Sequence, residues 1–309
     1  MKLVFCGTPQ FAVPTLDALI ENHEIALVVT QPDRPQGRGL ELAPSPVKQT
    51  AEKHGIPIEQ PDKIKNNAEF RALLERIAAD AIIVVGYGRI VPPWMLTLPK
   101  YGNINLHGSL LPKFRGAAPI QWAIANEERV SGVTTMLLNE GLDTGDILLQ
   151  RELPIGPDDT AITYGRRLAE IGAELMIETL HRIEKGAVTP RPQDHSQASL
   201  APILKKEDGK ADFTLPAELI YNRLRGFQPW PGCFTSFRGK KLTIVAAKPI
   251  RELQNLSPGE MLAEGDRMLI GCRESALELI EVQPEGKRRM SVGDFVRGYR
   301  PQEREKLGS

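Results

Sequence analysis

The chain runs to 309 residues, 41% of them hydrophobic and 25% charged, with 39 basic side chains against 39 acidic ones. That length accommodates two domains with separate cores, and the composition excludes a disordered or collagenous chain. Charge is unevenly spread: residues 1–200 hold 20 Lys and Arg against 24 Asp and Glu, whereas 201–309 hold 19 against 15, a mild bias toward a polyanionic partner for the C-terminal part.

The first expected element is a strand over 3–6, Leu-Val-Phe-Cys, closed by Gly7-Thr8-Pro9 and followed by a helix starting near Pro14. Strand, glycine, helix is the opening with which α/β sheets bind anions. The Gly-x-Gly-x-x-Gly fingerprint is missing, however, so a structural turn is favoured over a nicotinamide site. Buried strands follow over 25–29 and 81–85, the second after a helix over 70–79. Strands alternating with helices imply an α/β class: a doubly wound, Rossmann-like, mainly parallel sheet. Between Gln31 and Val47, four prolines and two glycines stand among polar residues. That pattern argues against regular structure and predicts a long loop holding Arg34 and Arg38, with Lys48 just beyond.

Gly102-Asn103-Ile104 begins another strand, on which Asn105 and His107 are two residues apart. On an extended backbone both side chains then leave the same face. An amide donor beside an imidazole suits a site where negative charge develops; taken alone, the same residues equally fit a buried strand with a satisfied core histidine. Pro112 stops the strand and Pro119 opens the next helix. Strands over 132–138 and 147–149 flank an acidic loop whose Asp143 and Asp146 lack the ligand alternation of a calcium site, so no metal is expected. A helix over 160–185 carries the apolar stripe Tyr164, Leu168, Ile171, Leu175 and Ile183, with Gly186 placed to end it. Residues 189–199, rich in Pro, Gln and Ser, read as a linker. Short β-rich runs at 233–237, 242–246, 268–271 and 276–282, separated by turns such as Arg238-Gly239 and Gly265-Asp266, predict a smaller antiparallel, OB-like β-barrel domain. Lys287-Arg288-Arg289 is its one basic triplet. Cys6, Cys233 and Cys272 form no metal or disulfide spacing and read as buried thiols in a reducing compartment. No apolar run approaches membrane-spanning length, and the N-terminal apolar stretch is too short for a signal peptide, so a cytoplasmic location is expected.

The run Asn-Leu-His-Gly-Ser-Leu-Leu-Pro-Lys-Phe-Arg-Gly at 105–116, with Gly-Leu-Asp-Thr-Gly-Asp at 141–146, resembles the folate-dependent formyltransferases, and the likeness covers essentially the whole chain. The resemblance implies formyl transfer from 10-formyltetrahydrofolate to an amine. By it, Asn105 and His107 would donate hydrogen bonds to the oxyanion. Asp143 would hold the imidazole and relay the amine proton through water. Ser109, Leu110, Leu111 and Pro112, with Tyr87, Gly88 and Ile90, would form the pterin pocket, and Leu111-Pro112 is the candidate for a cis peptide. Residues 31–39 and Ser45-Pro46-Val47-Lys48 resemble the insertion of members that formylate initiator methionyl-tRNA. That implies tRNA contacts through Arg34, Arg38 and Lys48, in a monomeric enzyme. Residues 227–232, Phe-Gln-Pro-Trp-Pro-Gly, resemble the entry to the family's second domain. The implied organisation is a catalytic domain over 1–188, a linker over 189–209 and an OB-like tRNA-binding domain over 210–309. Gly108 is shared with amino-sugar formyltransferases, so a small sugar amine stays open as the alternative acceptor. Such an enzyme would lack the 31–48 insertion and the basic barrel.

Overall fold

A computed structural model of the chain describes residues 1–36, 41–251, 256–302 and 304–308. They form two compact units: Met1–Pro119, Val130–Pro154 and Tyr164–Pro202 make the first, and Ile120–Arg129, Ile155–Thr163 and Ile203–Ser309 the second.

Through residue 184 the strands are β1 (Lys2–Gly7), β2 (Glu24–Val29), β3 (Arg34–Gln36), β4 (Glu41–Ala43), β5 (Ile58–Glu59), β6 (Ala81–Val85), β7 (Asn103–His107), β8 (Val130–Leu137) and β9 (Ile147–Pro154). The helices are α1 (Val13–Asn22), α2 (Pro46–Lys53), α3 (Ala68–Ile77), α4 (Pro93–Leu96), α5 (Pro119–Ala125) and α6 (Ala161–Glu184). Seven strands make one sheet in the order β5-β2-β1-β6-β7-β8-β9. Neighbours are parallel from β5 to β7, and β7–β8 and β8–β9 are antiparallel. The doubly wound, mainly parallel α/β class expected from the alternation of elements is the one observed.

The strand β7 is buried along its whole length, and its period of two divides the side chains between two environments. Asn103, Asn105 and His107 share one face, while Ile104 and Leu106 take the other. At Gly172 of α6 an added Cβ would stand 2.8 Å from Leu106 Cδ2, so the glycine lets the helix close on the strand. Asn103 is consumed locally, its amide donating to the Met95 and Leu96 carbonyls at the end of α4 (2.8 and 3.2 Å). On α3, Phe70 and Leu74 are four apart and buried, and Asn67 caps the helix by accepting the Phe70 N–H at 2.9 Å. Loss of such a cap costs about 1 kcal/mol.

Two expectations about connecting segments change. The 31–47 stretch is not wholly irregular, because β3 and β4 pair as an antiparallel ribbon, Arg34 opposite Ala43 and Gln36 opposite Glu41. Pro35 is admissible there because every strand of a two-stranded ribbon is an edge. Residues 189–199 are tied down within the first unit: Arg191 bridges Ile147, and Gln193 is only 6% exposed. Composition signalled the absence of helix and strand, not the absence of contacts.

In the second unit α7 (Ala217–Gly226) precedes β10 (Cys233–Phe237), β11 (Lys240–Ile250), β12 (Met261–Glu264), β13 (Arg267–Cys272), β14 (Ser275–Pro284) and β15 (Met290–Ser291), and α8 (Val292–Tyr299) follows. The sheet is antiparallel, in the order β10-β11-β14-β13-β12, with β15 added beside β14. Leu242 and Ile244 of β11 and Leu277, Leu279 and Val282 of β14 fill its core together with Phe295 of α8, the step from Leu279 to Val282 falling where the β11–β14 register shifts. Each such side chain contributes about 1.5–3 kcal/mol by leaving water. The chain's end closes the structure: Leu307 N–H donates to the Gly259 carbonyl, Met261 N–H to that of Glu305, and Gly308 N–H to that of Ser236, all at 2.9 Å. Residues 305–308 thereby satisfy backbone groups of both outer strands, which is how a barrel removes its edges.

Candidate active site

The strand β7 delivers Asn105 and His107 toward its C-terminal end, 8% and 6% exposed respectively. Among the described residues the Asn105 amide has no hydrogen-bond partner, so it is available to a ligand. His107 Nε2 lies 2.9 Å from the Phe114 carbonyl oxygen. A carbonyl only accepts, so Nε2 carries hydrogen and Nδ1 is the nitrogen left to act. Nδ1 stands 3.7 Å from Asp143 Oδ2, beyond a direct hydrogen bond but within reach of a small adjustment on ligand binding.

Asp143 reaches this point from the loop between β8 and β9 by adopting φ +50°. That left-handed conformation costs a residue with a Cβ about 1–2 kcal/mol, and Asp tolerates it better than most. Three hydrogen bonds hold it and its loop. Gly116 N–H donates to the carboxylate Oδ2 at 2.8 Å. The Gln193 amide donates to the Asp143 carbonyl at 2.9 Å and to that of Gly145 at 2.7 Å. Gly116 itself has φ +122°, and a Cβ there would stand 2.6 Å from the Ala201 carbonyl oxygen, so only glycine fits. The structure therefore brings Asn105, His107 and Asp143 together, across a sequence gap that β8 closes by pairing with β7.

The turn after β7 is braced from within. The Leu111–Pro112 peptide is cis. Thr134 Oγ1 donates to the Ser109 carbonyl (2.7 Å) and accepts the Leu111 N–H (3.1 Å). Gln150 donates to the Leu111 carbonyl at 2.9 Å, and Ser109 Oγ to that of Lys113 at 2.6 Å. Ser109 and Leu111 are buried, while Leu110 and Pro112 keep part of their surface. After β6, Gly88 (φ +73°) and Ile90 are exposed, the latter at 89%. The Tyr87 ring is turned into the core and burial pushes its phenol up. Only the main chain of Tyr87 faces its neighbours here, its carbonyl accepting from Gln31 Nε2 at 2.8 Å.

Of the three cations expected to meet tRNA, Arg34 is exposed and its guanidinium donates to Gln31 Oε1 at 2.7 Å. Lys48 is paired with Asp33 at 2.6 Å, and Gln60 donates to the other oxygen of Asp33 at 2.8 Å. The hydrogen bond from Lys48, then that from Gln60, holds the Asp33 carboxyl below its ordinary range. Arg38 lies outside the described residues. Among the described residues no group of three His, Cys, Asp or Glu side chains is placed to hold a metal ion, and no helix is long and apolar enough to cross a membrane.

Gly116, Phe114 and Arg115 stood inside the motif that marked the site, yet nothing in their types announced that they hold Asp143 and His107. Gln193 gave no signal, since its neighbours read as a linker.

A formyl transferase family model matches residues 1–180, and a model of the formyl transferase C-terminal domain matches residues 203–300. The chain belongs to the formyl transferase family. A methionyl-tRNA formyltransferase from Koribacter versatilis is 59% identical over 310 residues, covering 100% of this chain and 99% of that protein. Another from Solibacter usitatus is 50% identical over 309 residues, at 100% and 99% coverage. Solved structures of formyl transferases that share the fold include the sugar 3N-formyl transferase WlaRD, at 19% identity with a TM-score of 0.68 over 93% of this chain and 99% of that one. HypX from Aquifex aeolicus in complex with tetrahydrofolic acid gives a TM-score of 0.64 at 20% identity, over 100% of this chain and 50% of that one.

Proposed function

We infer that this formyl transferase moves the formyl group of 10-formyltetrahydrofolate to the free amino group of methionyl-initiator tRNA, yielding formylmethionyl-tRNA for translation initiation. The observation that carries the acceptor is full-length identity of 59% and 50% with methionyl-tRNA formyltransferases, across both domains. Likeness to sugar formyl transferases stays near 20% identity and concerns the fold alone. The enzyme works where charged tRNA and folate meet, in the cytoplasm, and as a monomer.

The donor supplies a formyl group activated on N10, and attack by the methionyl amine drives negative charge onto the formyl oxygen. Asn105, with its amide free of internal partners, donates a hydrogen bond to that oxygen. His107 in its doubly protonated form adds a second from Nδ1–H, because its Nε2–H is committed to the Phe114 carbonyl. Asp143 faces the ring at 3.7 Å and takes the amine proton through water. As the carbonyl re-forms, the C–N10 bond breaks with its electron pair passing to N10, which takes a proton from the His107 imidazolium, leaving tetrahydrofolate and the formylated amine. Leu110, Pro112, Gly88 and Ile90 keep accessible surface to offer the pterin, while Ser109, Leu111 and Tyr87 are buried and brace the segments that carry them. A ring that must be read edge-on fits glycine-rich backbone of this kind. The exposed cations of residues 201–309, where basic side chains outnumber acidic ones, and Arg34, Arg38 and Lys48 supply phosphate contacts; Lys48 does so by exchanging Asp33 for tRNA.

The test is a formylation assay with labelled donor and a panel of amine acceptors. Formylation of methionyl-tRNA, with no product from amino-sugar nucleotides, is expected. The reverse pattern would sink the reading.

A further inference from the structure

The triad side chains touch only part of what holds them. A strap over residues 193–201, within the first unit, grips the site from behind, and its bonds converge on the two residues whose relative position sets the chemistry. Arg115 N–H donates to the Ser199 carbonyl at 2.8 Å, and Ala201 N–H to the Arg115 carbonyl at 2.7 Å. Phe114 N–H donates to Ser199 Oγ at 2.9 Å. The tripeptide Phe114-Arg115-Gly116 is thus laced to the strap. Its first carbonyl receives His107 Nε2, and its last N–H reaches the Asp143 carboxylate.

Gln193 closes the circuit. Its Oε1 accepts from Arg115 Nε (3.1 Å) and Nη2 (2.7 Å), while its Nε2 gives one hydrogen each to the Asp143 and Gly145 carbonyls. The orientation of this amide is fixed by chemistry. Reversed, it would set two N–H donors against a guanidinium and an oxygen against two carbonyls. Arg115 is itself 6% exposed and makes a further bond from Nη2 to His195 Nδ1 at 3.1 Å. A buried amide meeting four polar atoms is costly to leave half-satisfied, and it stands directly behind the left-handed Asp143.

We propose that Gln193, oriented by Arg115, is a positioning residue of formyl transfer: it holds the backbone of Asp143 so that the carboxylate faces His107 Nδ1. The proposal rests on the reading of Asp143 as a catalytic carboxylate. Gln193 touches neither substrate and acts only through Asp143. Removing its donors lets the loop relax from φ +50°, and the carboxylate drifts from the imidazole.

The experiment is a double-mutant cycle on the full chain with methionyl-tRNA and the folate donor. Gln193→Met keeps the length and removes both donors. It is expected to lower kcat about 100-fold, the penalty of roughly 1 Å of misplacement, with KM for both substrates changed less than about 3-fold. In an Asp143→Asn background the same substitution should cost less than about 3-fold in kcat, because residues acting as one unit are not additive. Gln193→Glu keeps the acceptor for Arg115 but turns the donors into an oxygen facing two carbonyls, and is expected to match the Met variant. Thermal unfolding monitors the fold, and if Gln193→Met does not fold, the cycle is read from the Glu variant. Equal losses in both backgrounds, a KM increase without a kcat loss, or failure of both Gln193 variants to fold would overturn the proposal and assign Gln193 a structural role. An Asp143→Asn enzyme that kept full activity would instead overturn the catalytic reading beneath it.

Discussion

His107 Nδ1 and Asp143 Oδ2 stand 3.7 Å apart, and both residues are anchored by one tripeptide, through the Phe114 carbonyl and the Gly116 N–H. Their geometry is a property of the turn after β7 as much as of the two side chains. Replacing Asp143 by Asn keeps a side chain that tolerates φ +50° and removes only the charge. A kcat loss of about 100- to 10,000-fold with an unchanged melting temperature is expected, the usual scale of an acid–base group. Activity within a few-fold of wild type would remove Asp143 from the mechanism.

Asn103 and Asn105 share a face of β7, yet only the first has its amide spent on internal carbonyls. The two alanine variants should therefore separate. Asn105→Ala is expected to lower kcat by about 100- to 1,000-fold, as loss of one oxyanion donor does, with stability nearly unchanged. Asn103→Ala should lower stability by about 1–3 kcal/mol, since the Met95 and Leu96 carbonyls lose their donor, while the folded fraction keeps its kcat. Denaturant melts beside steady-state rates decide it, and the idea fails if the two variants behave alike.

The period-two pattern of β7, the apolar runs of the parallel strands and the long stripe of α6 were legible because each is a local signal with one reading. The meeting of Asn105 and His107 with Asp143 was legible only as a resemblance, because Asp143 comes from a distant loop that β7–β8 pairing brings to the end of β7. Gln193 was illegible for a physical reason. A Pro- and Gln-rich segment cannot form a ladder, but its side-chain amides can still be buried against loops it happens to cross. The ribbon of β3 and β4 escaped similarly: Pro35 argues against a central strand, and says little against an edge. In the second unit, β12 and α8 were too short to announce themselves.

The thiols offer a direct test of burial. Cys6, Cys233 and Cys272 are 0%, 3% and 2% exposed, and burial pushes Cys233 and Cys272 up to about 12, with Cys6 raised as well. The thiolate is the reactive form, so little of it exists at pH 8. A disulfide reagent should find no fast-reacting thiol in the native protein and three after unfolding. One rapid native thiol would contradict this burial.

Asp33 and Lys48 tie the base of the β3–β4 segment. The Asp33 carboxyl is depressed first by its hydrogen bond from Lys48 and then by that from Gln60. A depressed carboxyl stabilises the fold above its ordinary value, and the contribution is lost as pH falls through the folded one. Lys48→Met should move the Asp33 titration, followed by carboxyl chemical shift, upward toward the ordinary range. Binding of tRNA should move it the same way if Lys48 leaves Asp33 for a phosphate. A midpoint unmoved by Lys48→Met would show that the ion pair is not formed in solution.

The second unit should carry the salt dependence of tRNA binding, and its charges divide into two sets. Arg267, Arg297 and Arg238 are paired with Glu278, Asp294 and Glu305. Lys240, Lys241, Lys287, Arg288 and Arg289 are exposed and, among the described residues, have no ion pair. The Glu285 N–H donates to the Lys241 carbonyl at 2.9 Å, so the β10–β11 and β14–β15 turns that bear these five cations lie side by side. Lys241 Nζ also lies over the Phe234 ring, 4.5 Å from its centroid, a cation–π contact that holds the ammonium on this face. Each phosphate contact releases counterions, so affinity for methionyl-tRNA should fall steeply with salt. Alanine at Lys287, Arg288 and Arg289 together should reduce the log–log slope by about three and raise KM with kcat little changed. Arg267→Ala, which breaks an internal pair, should leave the slope within about one of wild type. Arg38→Ala should raise KM and also lower kcat, because its segment lies in the catalytic half of the chain, and donor binding should stay constant in all of these variants. If the triple variant keeps the wild-type slope while the wild type formylates methionyl-tRNA, the phosphates are held elsewhere and this face of the barrel is solvent-facing only.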